Sequence, residues 1–265
     1  MIKNILALTN DSTKKTVVVA AALCLVCSVL VSGAAVFLKP QQDYNKALDK
    51  RRNILQIAGL MEEGKSVDEL FKQIETRVVD LESGKYVELE DASAYDQRKA
   101  AKDPAQSAAL SAEQDIAGIK RRAHQASVYL VKDGDALKTI ILPVHGYGLW
   151  STLYGFLALE ADASTVAGFG FYEHAETPGL GGEVDNPSWR AMWPGKVVHS
   201  AAGDVAIEVI KGSVNADTPG AQHKIDGLAG ATLTSRGVSN LLQFWMSEQG
   251  FGAYLQNIKS QGGDA

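Results

Sequence analysis

The alternation of apolar and polar positions divides the chain into stretches of different texture. From Thr16 to Leu38, 23 consecutive residues carry no charge. As a helix they span about 34 Å, which matches a bilayer core of roughly 30 Å. Lys14 and Lys15 bound the run on one side and Lys39-Pro40 end it on the other. Ser32-Gly33-Ala34-Ala35 has the small residues of a cleavage site. A secretory apolar region is usually only ~7–15 residues long, so the run reads as a retained transmembrane helix over 16–38. Leu23 and Val26 precede the two cysteines where a lipoprotein signal needs a small residue. After the span, Ala47, Ile54, Leu55, Ile57, Ala58 and Leu60 form a helical stripe, and Val67, Leu70, Phe71 and Ile74 continue it past Gly64. The pattern therefore predicts helix over much of 41–80. Residues 90–115, rich in Ala, Ser, Asp, Gln and Lys, read as a mobile excursion.

Beyond residue 127 the texture turns to strands. Val128–Val131 and Leu137–Pro143 flank Asp133-Gly134-Asp135, a hairpin signal, and Thr152–Glu160 and Thr165–Tyr172 follow as apolar runs. Lys196–His199 and Val205–Ile210 flank Ala-Ala-Gly-Asp and predict a second hairpin. Val238, Leu241, Leu242 and Trp245 share one face of a final helix. The fold class is α+β: one N-terminal transmembrane helix, then a mixed, mostly antiparallel domain.

Composition sharpens this picture in three places. The 265 residues suffice for one large domain or two small ones. With 26 basic and 31 acidic residues, and no basic stretch, a nucleic-acid partner is not expected. Two cysteines, both inside the span, exclude a disulfide scaffold. Ala20, Cys24, Ser28 and Ser32 recur every four residues along the span. Such a ridge suits either a plain anchor or a helix that docks among other membrane helices. Cys24-x-x-Cys27 has the spacing of a redox motif and places both thiols on one helix face, while inside lipid they read as small apolar residues. No ionisable group lies within the span, so this helix alone carries no ion path.

Three segments offer chemistry. Asp226-Gly-Leu-Ala-Gly-Ala-Thr232-Leu-Thr234-Ser235 precedes the final helix. Thr234 or Ser235 suits an N-cap. The same helix start, with Gly227 and Gly230 allowing close approach and Thr232 beside it, also suits a phosphate. His174-Ala-Glu176-Thr177-Pro178-Gly179-Leu180-Gly181-Gly182-Glu183 is a shaped turn: an ordinary connection, or a lining of backbone N–H groups for a ligand. His174 has no second His or Cys at ligand spacing, so no metal is expected. Pro143-Val-His-Gly-Tyr147-Gly-Leu-Trp150 brings two large rings to a turn, suiting either core packing or a flat heterocycle. Its Gly-x-Gly is not a dinucleotide fingerprint, because no helix follows. The other histidines, at 124, 145, 199 and 223, form no triad.

Taken together these residues resemble the C subunit of the sodium-translocating NADH:quinone reductase along nearly the whole chain. The matching pieces are Lys14-Lys15-Thr-Val-Val-Val, Leu-Cys24-Leu-Val-Cys27-Ser and Arg52-Asn-Ile-Leu-Gln-Ile-Ala-Gly-Leu60, with Pro143–Glu160, His174–Val184 and Asp226–Ser235. The related G subunit of the Rnf complex shares the Thr motif and fits the middle less well. The resemblance implies an FMN covalently bound through a phosphoester to Thr232, which ends the Gly230-Ala231-Thr232 triplet. It implies a flavin transferase that reads the motif, Asp226 included. The sequence departs at Ala229, where the family more often has Ser or Thr. The resemblance further implies a six-subunit assembly that pumps sodium ions. Single electrons would arrive from an iron–sulfur centre held by the D and E subunits and leave to the covalent FMN of the B subunit, then riboflavin and quinone. The implied layout is a cytoplasmic tail (1–15), a span in the bacterial inner membrane (16–38), a helical and irregular membrane-proximal region (39–120) and a periplasmic FMN domain (121–265). A phosphate tethered at Thr232 fixes only one end of the cofactor. Glu176, Thr177, Gly179 and Leu180 on one turn, and Tyr147 and Trp150 on the other, are the candidates to hold its ring, with Thr234 and Ser235 near the phosphate. Two other classes remain open: a membrane-anchored ligand-binding or sensor domain without redox activity, and a structural subunit without cofactor.

Overall fold

The computed structural model describes Thr9 and residues 12–260. Most of the expected 1–15 tail, Lys3 included, lies outside the described residues. Helix α1 (Thr13–Ile57) is 45 residues long, about 68 Å. It contains the apolar run and is long and apolar enough to cross a membrane. Pro40 does not end it. Beyond Pro40, which costs the helix one backbone hydrogen bond, Lys39–Asp43 and Gln41–Asn45 contacts at i,i+4 sustain the polar turns. The chain divides into two compact units, 1–49 and 50–265.

Within residues 50–265 the expected stripe is confirmed at Ile54, Leu55 and Ile57, which are buried at the end of α1. Helix α2 (Val67–Phe71) is short, with Ser66 as its N-cap accepting from the Glu69 N–H. The helical expectation fails at Ile74, where β1 (Ile74–Asp80) begins. The i+3 spacing from Phe71 is coincidental, and Ile74, Val78 and Val79 are β-branched residues that fill the core from a strand. Residues 39–120, expected to be helical and irregular, thus contribute an interior strand to the main sheet.

The sheet comprises β2 (Tyr86–Val87), β1, β5 (Gln125–Asp133), β6 (Ala136–Tyr147), β7 (Thr152–Glu160) and β8 (Val166–Glu173), in that spatial order. Every neighbour is antiparallel. Both faces are covered, which explains why the strands read as apolar runs and not as alternation. One face packs Val128, Leu130, Ile140, Leu142 and Leu157 against helices α5 (Thr232–Met246) and α6 (Gly252–Ser260). The other packs Tyr129, Val131, Ile141 and Phe156 against Ile54, Leu55 and Leu70.

Residues 90–115 depart from the expected mobile excursion. They hold a 3-10 turn (Ala92–Ala94), helix α3 (Gln97–Ala100) and strand β3 (Ser107–Ala109), the last paired with β4 (Arg121–Ala123). Asp91 and Asp96 cap the two helical turns, and the Tyr95 hydroxyl donates to the Gln125 carbonyl. Side-chain caps, which leave no periodicity, order this polar stretch. The second expected hairpin is reduced to one bridge, His199 with Val205. The chain then leaves, so that β9 (Glu208–Val209) pairs in parallel with β10 (Lys224–Ile225). The short helix α4 (Pro187–Arg190) covers part of the core through Trp189.

Candidate functional site

The end of β6, the start of β7 and the end of β8 lie at one end of the sheet, because the three strands are consecutive and antiparallel. The turn at residues 147–151 and the segment 174–183 therefore emerge side by side. Helix α5 packs on β6 and brings its first turn to the same place. All three chemistry-bearing segments meet at one carboxylate. Glu176 is only 5% exposed. Its Oε1 accepts from the backbone N–H groups of Leu149 (3.0 Å), Trp150 (2.9 Å) and Ser151 (3.3 Å). Its Oε2 accepts from the Thr234 hydroxyl at 2.7 Å. Burial pushes this carboxyl up, but the Thr234 hydroxyl and the three N–H donors outweigh it and hold it below the usual carboxylate range.

The close approach needs glycine at two points. A Cβ on Gly237 would stand 2.5 Å from the Tyr147 carbonyl oxygen, and one on Gly181 would stand 2.6 Å from Thr234 Oγ1. Glu176 is thus not a ligand-facing group, as the sequence suggests, but the internal joint of the site. Its neighbourhood is tied further. The Glu176 N–H donates to His174 Nδ1 at 3.2 Å, and His174 Nε2 lies 2.8 Å from Asp185 Oδ2. The first bond fixes the tautomer with the proton on Nε2. Asp185 is the main reason the His174 pKa is raised. No group of metal-binding side chains occurs among the described residues.

The loop into α5 is held from both sides. Trp189 Nε1 donates to the Asp226 carbonyl, and the Asp226 carboxylate accepts from the Val214 N–H at 2.8 Å. The Leu228 N–H donates to Ser235 Oγ at 3.0 Å. Neither Thr234 nor Ser235 caps the helix. Its N-cap is Ala231, with no side-chain bond. Thr234 and Ser235 sit within the first turn, buried, and spend their hydroxyls on Glu176 and Leu228. Gly230 takes the left-handed φ of +70° that turns the chain into the helix. Thr232 and Leu233 are exposed at the first helical positions.

This helix start fits a phosphate ester. The N–H groups of Thr232, Leu233 and Thr234 have no intrahelical acceptor, no side chain caps them, and the dipole favours an anion. Thr232 offers an exposed hydroxyl beside them, and Arg236, exposed one turn on, shares its face. Arg236 was legible only as an i+4 spacing. The three segments expose apolar side chains: Tyr147 is 49% exposed and Trp150 65%, and Leu149, Leu180 and Leu233 are exposed as well. Leu180 lies against Gly230. Thr177 and Gly179 are exposed on the same turn. Two of that turn's N–H groups, from Leu180 and Gly182, are spent on the Thr177 carbonyl, so they are not offered to a ligand. Asp226 is separated in role from the others, because its carboxylate braces the 212–215 loop. His145, unassigned by the sequence, stacks on Tyr154 and meets Trp245 at a tilt, and burial first, then Arg98, pulls its pKa down to about 4.

Residues 148–247, from the Glu176-bound turn to the end of α5, match the family model of the FMN-binding domain. The C subunit of the Na(+)-translocating NADH-quinone reductase of Pseudomonas aeruginosa is 58% identical over 94% of this chain and 97% of its own length. The C subunit of the same name from Vibrio anguillarum is 53% identical over 97% of this chain and 99% of its own. The crystal structure of NqrC from Shewanella oneidensis superposes with a TM-score of 0.74 at 34% identity, covering 80% of this chain and 97% of that one. Identity at this level across nearly the full length shows that the chain belongs to the family of C subunits of the Na(+)-translocating NADH-quinone reductase.

Proposed function

We propose that the chain is the flavin-bearing, electron-carrying subunit of a membrane NADH:quinone oxidoreductase that pumps sodium ions, and that it holds FMN through a phosphoester on Thr232. When bound, FMN supplies the redox centre that accepts and passes on electrons. The observation that carries the assignment to Thr232 is the division of labour among three neighbouring hydroxyls. Thr234 and Ser235 are buried and bonded inside the protein, whereas Thr232 is exposed at a helix start that no side chain caps. Gly230 and Ala231 shape that start, and Leu233, Thr234 and Arg236 supply donors and charge for the phosphate. Glu176 fixes the turn that presents Tyr147 and Trp150. These rings, with Leu180 and the Thr177–Gly179 turn, would cover the flavin and exclude water from it.

The family and the long apolar helix α1 support a membrane-anchored subunit of a multi-subunit complex that performs no complete reaction alone. We further infer residues 1–15 as a cytoplasmic tail, 16–38 as the inner-membrane span and 121–265 as the periplasmic flavin-bearing part, with 39–120 between them. In this reading the D and E subunits deliver electrons, the B subunit receives them, and a flavin transferase attaches the cofactor. The near-full-length identity favours this over a sensor domain, an Rnf-type subunit or a cofactor-free structural subunit. The test is fluorescence of the denatured band from the full chain produced with the transferase. The account expects a fluorescent parent and a dark, folded Thr232→Ala variant. A dark parent, or a variant that still fluoresces, would refute it.

A further inference from the structure

A cleft of about 440 Å³ shares Tyr147 with the proposed flavin site. It is lined by Arg98, Lys102, Lys120 and Arg121 together with Tyr147 and Tyr154, and no carboxylate lines it. That is a local reversal in a chain whose net charge is −5. Two of the cations are committed. Arg98 forms a two-pronged pair with Glu173 and lies 3.6 Å over the Tyr154 ring, and Arg121 donates to Ser107. Lys102 and Lys120 are exposed and have no ion-pair partner among the described residues. Lys120 is moreover held at a φ of +65°, which lysine rarely adopts. Asp115 enforces this by accepting from the Ile119 and Lys120 N–H groups at 2.7 and 2.8 Å. The same loop is fastened to the flavin side, since the Tyr147 N–H donates to the Ala117 carbonyl at 2.7 Å. Backbone strain is thus kept where it fixes one lysine in the lining of a basic cleft.

We propose that this cleft receives an acidic segment, Asp or Glu side chains, of a neighbouring subunit, and so seats that neighbour against the Tyr147–Trp150 turn. The inference rests on the multi-subunit reading above. Charge complementarity argues for carboxylates, and the surroundings argue for a protein partner. The cleft continues through Tyr147 into the exposed Leu149 and Trp150, so a charged edge adjoins exposed aromatic anchors, as protein interfaces do. Docking there sets a partner next to the site where electrons must pass, and fixes its register by charge.

Lysine acetylation in the assembled complex, compared with the full chain alone in the same detergent, tests this. Lys102 and Lys120 should be labelled far less in the complex. Carbodiimide should join one of them to an Asp or Glu of another subunit. The Lys102→Glu, Lys120→Glu double variant should keep its covalent flavin while recovery of intact complex falls about tenfold or more. Equal labelling in both states, or full recovery of the double variant, would overturn the proposal. So would protection of the lysines in the isolated chain by inorganic phosphate with no further change on assembly, which would assign the cleft to a small anion. Failure to co-purify with any other subunit would instead overturn the multi-subunit reading itself.

Discussion

Replacing Glu176 perturbs the joint on which the site is built, and the structure sets the size of the effect. In Glu176→Ala the Thr234 hydroxyl, fully buried, loses its acceptor. An unsatisfied buried hydroxyl costs about 1–3 kcal/mol. The three turn N–H groups are part-buried and regain water, so each forfeits the net value of a bond to a charged group, about 1.5 kcal/mol. The sum is about 6 kcal/mol, or a fall in Tm of about 18 °C for a unit of this size. Glu176→Gln keeps a carbonyl for the turn and an amide for Thr234, and should cost about 1–2 kcal/mol. The pH dependence has a definite sign. The folded carboxyl lies below its ordinary value, so its contribution is complete above the unfolded pKa, about 4.3, and is lost as pH falls through the folded pKa. The gap between parent and Gln variant should therefore be constant from pH 6 to 8 and close in acid. Thermal unfolding across pH, with amide exchange at residues 149–151, measures both. An Ala variant that loses less than about 1 kcal/mol, with exchange at the turn unchanged, would refute the reasoning.

Three further outcomes follow from individual contacts. Thr234→Val should cost about 1–2 kcal/mol in chemical unfolding and leave flavin attachment intact, because its hydroxyl serves Glu176 and not the cofactor. Gly237→Ala should destabilise by about 1–3 kcal/mol despite alanine's better helix propensity and should shift Trp150 fluorescence, since the new methyl meets the Tyr147 carbonyl. Ser28→Leu, on the small-residue ridge, should reduce recovery of the assembled complex on a native gel while the chain stays in the membrane fraction.

The strands from 125 to 173 and helix α5 were legible because burial on both sheet faces leaves apolar runs, and because Val238, Leu241, Leu242 and Trp245 keep strict helical spacing. Strand β1 was not, since Ile74 falls in step with the preceding helix by chance. The ordered 90–115 stretch is built from Asp caps and one buried Ser107, features that composition reports as polar and loose. At the site, glycines and hydroxyls picked out three segments that the structure brings together at Glu176. What sequence could not show is which of them faces outward. Thr234 and Ser235 look like caps until Glu176 and Leu228 are seen to claim them. A glutamate in a glycine-rich turn likewise looks like a ligand contact until its four internal donors are counted.

The central claim is that Thr232, and neither of its two hydroxyl neighbours, bears the cofactor. Tryptic cleavage after Lys224 and Arg236 isolates one peptide that contains Thr232, Thr234 and Ser235 together. Fragment-ion mass spectrometry of that peptide, from the full chain purified out of its membrane, places any modification on a single residue. The account predicts the mass of FMN less one water on Thr232. An unmodified peptide from a flavin-containing preparation, or the same addition on Thr234 or Ser235, would contradict it.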